Sequence, residues 1–347
     1  MKTGSLVTWE RQDPQADVLV LTTAWPDSDD DMYGIPVKRQ MESLLRRGLR
    51  CDVLYIRGYR SPLAYLLGAL QVAFWGLTRR RRYRLVHAHG GEAALAATLY
   101  RGAPILVTYL GSDLLGAPGR DGTVPLLWRL RRALIRQHAR LAARTITESE
   151  EMEAVLPPRV RRRNLVAPKG IATALFHPGD RADARRQLGW APNARIALFA
   201  ADPDVALKRY RLAKAAVDRA GKTLPDLLLE VARGVPPNRM PLLMNAADCL
   251  LHTSSSEGSP NVVKEALLCD LPVVATAAGD IEPLLRQVTP SYLCPSSETA
   301  IADALVECLR EPRRSNGFET MSRRLDVDAV ADLLLDVYAE LAPGLRT

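Results

Sequence analysis

Short apolar runs alternate along the chain with longer stretches in which apolar residues recur every three or four positions. The short runs predict strands, and the periodic stretches predict amphipathic helices. The predicted strands are residues 17–23, 51–56, 85–89, 105–110, 145–147, 165–167, 195–200, 227–231, 249–253 and 272–276. The predicted helices are residues 36–47, 93–100, 125–143, 210–220, 241–247, 260–269, 298–309 and 326–341. Strands that alternate with helices in this way indicate βα units around parallel sheets.

A segment rich in proline, glycine and charge divides this alternation into two halves. It covers residues 168–189 and predicts a linker. The alternation restarts after it, so the predicted fold class is α/β with two doubly wound domains of similar size. The last predicted helix has one apolar face, which predicts packing on a neighbouring element. That face consists of Val330, Leu333, Leu334, Val337 and Leu341.

Length, composition and charge narrow the class of protein. At about 150 residues per domain, the 347 residues predict two domains. Hydrophobic residues make up 47% of the chain and charged residues 25%, which excludes a mainly disordered protein. The net charge of +8 suits an anionic small molecule, a membrane surface or nucleic acid as the partner.

The cysteines and the first residues bear on the cell compartment. No CxxC pair occurs among the five cysteines, so we expect no zinc site, and scattered thiols in odd number favour a reducing compartment. They are Cys51, Cys249, Cys269, Cys294 and Cys308. Residues 1–15 lack the apolar core of a secretory leader. We therefore expect a cytoplasmic protein.

Three charged or apolar segments leave alternatives open. Residues 62–77 are apolar but shorter than the ~20 residues that span a bilayer, and residues 79–82 are all arginine. We favour a buried helix with a solvated basic end. The alternative is an interfacial helix, with residues 62–82 in peripheral membrane contact. The basic run 161–163 has no aromatic residues to accompany it, so we expect no nucleic-acid partner.

An acidic run, PDSDDD, occupies residues 26–31. We interpret it as a solvated loop. The alternative is that Asp29, Asp30 and Asp31 recognise a cationic acceptor.

The most informative segment is residues 254–270, SSSEGSPNVVKEALLCD. A helix is predicted to start at Pro260, which suits the first helical position, and Gly258 lets the backbone approach a ligand closely. The free N–H groups of a helix start bind anions, most often phosphate. Glu265, just over one turn into the helix, can accept hydrogen bonds from sugar hydroxyls. The segment therefore predicts a nucleotide-sugar site.

Glu257 and Glu265 have a spacing that resembles the E-x7-E motif of family 4 retaining glycosyltransferases with the GT-B fold. The surrounding NAADCLLHTSSSEGSPNVVKEALLCDLPVVATAAGD is similar to the family throughout. Further similar stretches are RRGLRCDVLYIRG, LVHAHG, VTYLGSDLL and APKGIATALFHPGD. The resemblance covers residues 17–309 and implies two Rossmann-like domains that face each other across a cleft. Residues 1–172 would bind the acceptor, residues 173–325 would bind the nucleotide sugar, and residues 326–347 would return to the N-terminal domain.

The resemblance assigns roles in the C-terminal domain. Glu265 would bind the ribose hydroxyls, and Glu257 would contact the donor sugar. Lys208 matches the family lysine that neutralises the leaving diphosphate, with Arg209 as its helper. The backbone that would cradle the diphosphate comprises Gly258, Ser259, Pro260, Asn261 and Val262.

In the N-terminal domain, Gly34 matches the family's glycine loop opposite the diphosphate. Gly111 and Asp113 would face the cleft, with His89 nearby. We interpret His87 and His89 as pointing to opposite faces of their strand, with one in the core. For His89 a core position and a role in the cleft are equally open.

The chain departs from the family pattern at three positions. Leu110 stands where a histidine is frequent, Asp202 where a basic residue is frequent, and Lys169 where asparagine is usual. Because of Asp202, neutralisation of the diphosphate is left to Lys208 and Arg209.

The resemblance implies retaining transfer of a sugar to an acceptor hydroxyl of a glycolipid, polysaccharide or natural product. The sequence has no DxD-type pair in a suitable loop, so we expect no metal ion, and no cofactor besides the nucleotide-sugar donor. Two alternatives stay open. One is a GT-B sugar-nucleotide epimerase, and the other is a non-catalytic protein that binds sugar nucleotides.

Overall fold

The computed structural model describes residues 5–27, 33–78, 82–116 and 125–345, and it divides into two compact units. Unit 1 holds the described residues up to Gly170 together with those from Val327 onward. Unit 2 holds Ile171–Asp326. The chain thus leaves unit 1 once and returns to it for its last helix.

The strands fall into two sheets, one in each unit. In unit 1 they are β1 Val7–Arg11, β2 Val18–Thr22, β3 Cys51–Ile56, β4 Leu85–His89, β5 Ile105–Thr108, β6 Arg144–Thr147 and β7 Asn164–Val166. In unit 2 they are β8 Arg195–Phe199, β9 Leu227–Val231, β10 Cys249–His252, β11 Val273–Thr276 and β12 Tyr292–Cys294.

Helices connect the strands. In unit 1 they are α1 Ile35–Arg46, α2 Leu63–Thr78, α3 Gly91–Ala97, α4 Leu126–His138, α5 Glu150–Ala154 and α6 Pro158–Arg161. In unit 2 they are α7 Arg181–Leu188, α8 Tyr210–Ala220, α9 Met240–Ala246, α10 Asn261–Leu268, α11 Ile281–Leu285, α12 Glu298–Arg310 and α13 Gly317–Leu325. The last helix, α14 Val327–Leu341, belongs to unit 1, and 3-10 turns occur at Ala139–Leu141 and Ala206–Lys208.

The sheet of unit 1 has the order β1-β3-β2-β4-β5-β6-β7, parallel except for β1, which pairs antiparallel with β3. Helices cover both faces, so its inner strands are buried on both sides. Leu19 and Leu21 of β2 pack in the same cluster as Trp75 of α2. On the other face, Val18 and Val20 share a cluster with α1 and α14.

Helix α14 is an integral part of unit 1. Its Val330, Leu334 and Val337 pack in the same cluster as α1. The hydroxyl of Tyr338 lies 2.6 Å from Nδ1 of His87, beneath the sheet.

The sheet of unit 2 is wholly parallel, in the order β12-β11-β10-β8-β9. One face packs against α10 and α11, and the other against α8 and α12. The α/β class and the two doubly wound sheets are therefore as predicted. Ligands of such sheets bind at the carboxyl ends of the strands, which directs attention to the loops at that edge.

The predicted linker is wrong in its second half, because α7 occupies Arg181–Leu188. Asp180 caps this helix by accepting a hydrogen bond from the backbone of Asp183 at 2.7 Å, and Gly189 ends it with a left-handed φ of 70°. Arg185 is buried and pairs with Asp248 at 2.7 Å. A charged side chain rather than an apolar stripe anchors the helix, so hydrophobic periodicity did not reveal it.

Candidate active site

In unit 2, the loop between β10 and α10 forms the core of the candidate site. It carries the first residues of the E-x7-E motif, and no side chain caps the start of α10 at Pro260. Gly258, Ser259 and Asn261 are only half-buried. The partial positive charge of the helix start is therefore accessible to an anion.

Lys208 and Glu257 form an ion pair, with Nζ 2.6 Å from Oε1. Burial favours the protonated carboxyl, but the charge and hydrogen bond of Lys208 outweigh it and hold the pKa of Glu257 below its usual range. His252 Nε2 lies 3.6 Å from the same oxygen. Burial lowers the pKa of His252 to about 4, against the opposing effect of Glu257. At neutral pH Glu257 is therefore a carboxylate and the imidazole of His252 is neutral.

Arg209 links the carboxyl ends of strands β10 and β11 in unit 2 through hydrogen bonds. Its guanidinium donates to the carbonyl oxygens of Thr253 and Ser254, at 2.5 and 3.0 Å, and to Thr276 Oγ1 at 2.9 Å. It also bonds to the hydroxyl of Ser296. The backbone of Arg209 is left-handed, with φ of 51°, a conformation uncommon for residues other than glycine. The structure thus places Arg209 beside Lys208 but engages its donors with protein groups.

A second ion pair, which is buried, lies beneath the loop and was not predicted from the sequence. Lys264 of α10 is buried, its Nζ contacts the Ser259 hydroxyl and lies 3.6 Å from Asp280 Oδ2, and Ser259 donates to that carboxylate at 2.5 Å. A Cβ on Gly279 would lie 2.7 Å from the carbonyl oxygen of Gly258, so only glycine allows this approach. Together these contacts fix the backbone at Gly258 and Ser259. In the sequence, the feature that could have indicated this buried pair is the lysine among the apolar residues of α10.

Glu265 lies on α10 one residue after Lys264 and is half-buried. Burial, with the nearby charge of Glu265, raises the pKa of Cys269 to about 12. Val262 is half-buried as well, and Pro260 is buried. The structure therefore places the predicted cradle residues and both glutamates on one loop and helix start.

In unit 1, a pocket of about 290 Å³ lies at the carboxyl edge of the sheet. Of the residues predicted for the N-terminal domain, Gly34 and Asp113 line it, whereas Gly111 and His89 do not. Gly34 lines it and has a φ of 77°, and a Cβ there would lie 2.3 Å from the backbone of Ala24 and Trp25. Leu110 and Asp113 line it as well. Tyr65, Glu92 and Arg131 also line the pocket and were not singled out in the sequence, whereas Lys169, which lines it too, was noted as a departure from the family pattern.

The carboxylate of Asp113 is occupied by hydrogen bonds from backbone N–H groups. It accepts hydrogen bonds from the N–H groups of Gly91, Gly111 and Leu114 at 2.9 to 3.0 Å, and from that of Leu110 at 3.2 Å. Burial raises the pKa of Asp113, and these hydrogen bonds oppose the rise. Gly111 has a left-handed φ of 107°, which the tight turn requires. Asp113 is thus a positioning residue for this loop.

The expectation that His87 and His89 point to opposite faces is wrong. Residues two apart on a strand share a face, and the two rings have their centroids 4.1 Å apart. His87 is tied to Tyr338 and to Thr108 Oγ1, at 2.6 and 2.8 Å. Burial, assisted by the charge of Lys169, lowers the pKa of His89 to about 3, so His89 is neutral. Both histidines are core residues in this structure.

Asp29, Asp30 and Asp31 lie outside the described residues. In residues 5–27, 33–78, 82–116 and 125–345, no group of three or more His, Cys, Asp or Glu side chains could hold a metal ion. Over the same ranges, no helix has the length and apolar character needed to cross a bilayer.

Comparison with known proteins identifies two families along the chain. Residues 7–170 match the family described as glycosyl transferase 4-like domain. Residues 210–311 match the family described as glycosyl transferases group 1. The two matches fall in unit 1 and unit 2 respectively.

Relatives and solved structures agree with these matches. D-inositol 3-phosphate glycosyltransferase 1 of Catenulispora acidiphila is 28% identical over 309 residues, which are 76% of this chain and 74% of the relative. The D-inositol 3-phosphate glycosyltransferase of Thermobispora bispora is 30% identical over 58% of this chain and 56% of its own.

Two solved structures share the fold. Sucrose-phosphate synthase from Thermosynechococcus elongatus gives a TM-score of 0.74 at 18% identity, covering 94% of this chain and 99% of its own. HepE of Anabaena in complex with UDP-glucose gives a TM-score of 0.70 at 17% identity, covering 93% of this chain and 100% of its own.

Proposed function

The chain belongs to the family 4 glycosyltransferases with the GT-B fold, so we propose that it transfers a sugar from a UDP-sugar to an acceptor hydroxyl. In this proposal the sugar keeps its anomeric configuration, and the reaction needs no metal ion. UDP is favoured because the HepE complex with UDP-glucose has the same fold.

The observation that carries the proposal is the Lys208–Glu257 ion pair next to the uncapped start of α10. A helix start and a lysine together offer N–H donors and positive charge to a diphosphate. These groups stabilise the charge that develops on the diphosphate as the glycosidic bond breaks. This is the task that a divalent cation performs in other transferases, which is why we propose transfer without one.

The two glutamates would contact the two sugars of the donor, the transferred sugar and the ribose. Glu257 is ionised at neutral pH because Lys208 lowers its pKa, so its oxygens accept hydrogen bonds from hydroxyls of the donor sugar. Glu265 would accept hydrogen bonds from the two ribose hydroxyls. Ser259 is already held by Lys264 and Asp280, so its backbone N–H rather than its hydroxyl would contact phosphate.

The proposed transfer is a displacement on one face of the donor sugar. The acceptor oxygen forms the new bond to the anomeric carbon on the face from which the diphosphate departs. The bond between the anomeric carbon and the diphosphate oxygen breaks, and that oxygen takes the acceptor proton. No side chain has to act as general base, which is consistent with the low pKa of His252, about 4, which makes it a weak base, and with Asp113 being held by backbone N–H groups.

We assign the pocket of unit 1 to the acceptor. Gly34 and Leu110 are among its lining residues, and Glu92 and Lys169 supply groups of both charge signs. Gly111 and Asp113 would set the shape of this pocket. His89 would support it from the core as a neutral side chain.

The donor assignment is tested by thermal shift with UDP-, GDP-, dTDP- and ADP-glucose. A donor at 100 times its Kd stabilises the protein by about 2.7 kcal/mol, so we expect the largest rise in melting temperature with the UDP-sugar. The Glu265→Gln variant should bind it 10- to 100-fold more weakly, because it loses about 1.5–3 kcal/mol of charge-assisted hydrogen bonding. Glu298→Gln, an exposed glutamate in unit 2, is the matched control.

No shift with any of the four sugars, or unchanged affinity in Glu265→Gln, would contradict the proposal. NMR of the transfer product should show the anomeric configuration of the donor, and addition of EDTA should leave the rate unchanged. Conversion of the donor sugar in the absence of any acceptor would indicate an epimerase instead.

A further inference from the structure

Two helices of unit 1 present large apolar side chains to solvent. Among the described residues, 20 large hydrophobic side chains are exposed, and 11 of them lie on α2 and α4. On α2 they are Leu63, Leu66, Leu67, Leu70, Phe74 and Leu77; on α4 they are Leu126, Leu127, Trp128, Leu130 and Leu134. Apolar surface concentrated in this way marks an interaction site.

Helix α2 directs six large apolar residues outward, and apart from Val72 and Trp75 its buried residues are small. The outward residues recur at three- and four-residue spacing and form one stripe, with exposures from 41% to 85%. The inward side includes Ala64, Gly68 and Gly76, and a Cβ on Gly76 would lie 2.6 Å from the carbonyl oxygen of Leu99. The expectation of a buried helix is therefore wrong for its outer face. Close packing through glycine leaves the leucines directed at solvent.

Helix α4 combines its leucines with cations. Its sequence, LLWRLRRALIRQH, contains four arginines and no acidic residue, and α2 contains no charged residue at all. Arg132 and Arg136 donate to the carbonyl oxygens of Leu115 and Leu114, which fixes them along one side of the helix. Leucine and tryptophan beside fixed arginines is the composition of helices that lie in the surface of anionic bilayers.

The space between these helices leads to the acceptor pocket. An apolar groove of about 350 Å³ is lined by Tyr65 and Ala69 of α2, by Leu95 and Ala96 of α3, and by Arg131 of α4. Tyr65, Glu92 and Arg131 line both this groove and the pocket that contains Gly34 and Asp113. Apolar surface, groove and pocket are thus continuous within unit 1.

We propose that the α2–α4 surface docks on an anionic lipid bilayer and that the acceptor is a lipid whose polar head enters the pocket through this groove. The inference rests on the proposed function for the acceptor, but the docking itself needs only the surface. A bilayer is favoured over a protein partner because neither helix carries an acidic residue and nine of the eleven outward residues are leucines. Among the arginines of α4, Arg131 pairs with Glu92 of α3.

The test is flotation of the full chain with vesicles of phosphatidylglycerol and phosphatidylcholine, compared with phosphatidylcholine alone. We expect at least tenfold more protein to float with the anionic vesicles, and 0.5 M salt to reduce that fraction because it screens the arginines. The triple variant Leu66→Gln/Leu70→Gln/Phe74→Gln should lose at least tenfold. The matched control Leu228→Gln/Leu293→Gln/Leu333→Gln replaces three exposed leucines elsewhere and should float within twofold of the unchanged chain.

UDP titration on the same samples separates the two proposals. A chain that binds UDP but does not float overturns the docking inference alone, as does equal flotation of the unchanged chain and the α2 triple variant. A chain that floats but binds no UDP supports docking and contradicts the donor site. Analytical sedimentation tests whether a second copy of the chain covers this surface instead. If the unchanged chain is a dimer, the α2 triple variant is a monomer and neither binds vesicles, the docking inference is overturned in favour of a second copy.

Discussion

The ion pair beneath the donor loop of unit 2 and the pairs between α1 and α14 of unit 1 differ in their exposure to solvent. Beneath the donor loop, the side chains of Lys264 and Asp280 are 1% and 13% exposed. In unit 1, Arg46 and Asp328 hold α14 to α1 with side chains that are 59% and 46% exposed. Both sets consist of one cation and one carboxylate in close contact, so the chemistry of the partners is the same.

This difference in exposure determines how much free energy each charge costs and how much its partner contributes. A buried charge loses hydration and has to be matched by its partner, whereas an exposed pair contributes about 0–1 kcal/mol. Unit 2 concentrates buried and half-buried pairs at the loop proposed to hold the diphosphate. The pairs that join α1 to α14 in unit 1 lie on the outside of those helices. Changes to the pairs at the donor loop should therefore affect function and folding strongly, and changes to the α1–α14 pairs only slightly.

The largest effect is expected for Lys208→Met. Loss of one preorganised group that stabilises transition-state charge costs about 10²–10³ in kcat. We expect that loss in transfer rate, measured with saturating UDP-sugar, because Lys208 is the flexible cation of the proposed diphosphate site. Lys214→Met removes an exposed lysine paired with Asp218 on α8 and should leave kcat within twofold. A Lys208→Met enzyme with undiminished kcat would show that Lys208 is only a partner for Glu257.

The next largest effect is on folding, in Asp280→Ala. This change leaves Lys264 buried without its carboxylate, at a cost of about 3–5 kcal/mol in free energy of unfolding. Urea denaturation should also show that Asp280→Ala/Lys264→Met regains part of that loss, since the double variant no longer buries an unpaired cation. Asp226→Ala, which removes the partly exposed partner of Arg195, is the control and should cost much less. Equal losses in Asp226→Ala and Asp280→Ala would remove the distinction between the two classes of pair.

Much of the fold was predictable because it depends on hydrophobic periodicity. Strands β3, β4 and β9 have the predicted limits. The antiparallel edge strand β1 and the short strand β12 were missed, since an edge strand buries one face only and three residues show no period. Helix α7 was missed because Arg185 and Asp248 hold it rather than an apolar stripe.

The donor loop was predictable because its chemistry is contiguous in the sequence from Glu257 to Glu265. The contact of Lys208 with Glu257 joins residues 49 positions apart, and only the resemblance brought them together. The contact of Lys264 with Asp280 was not predicted, because a lysine among the apolar residues of a helix indicates burial but does not identify its partner. The pocket of unit 1 collects residues from Thr23 to Lys169, so its lining emerges only from the folded sheet.

The smallest effect is expected for Asp328→Asn in unit 1, and it should depend on pH. A hydrogen bond from Ser43 lowers the pKa of Asp328 to about 2, against the opposing effect of burial and with further help from Arg46 and Arg47. The unfolded carboxyl has a pKa of about 3.9. The stabilisation is therefore complete above about pH 4 and is lost as the pH falls towards 2. Because the side chain is half exposed, we expect less than about 1 kcal/mol at pH 7.

Urea midpoints of the unchanged chain and of Asp328→Asn check this expectation between pH 7 and pH 3. The difference should be constant down to about pH 4 and then narrow, since protonation removes from the unchanged chain what the substitution has already removed. Asp336→Asn, an exposed aspartate on the same helix, is the control and should show no such convergence. A difference above 2 kcal/mol at pH 7 would mean that the exposed pairs of unit 1 stabilise as strongly as the buried pairs of unit 2, because solvent would then not be screening them.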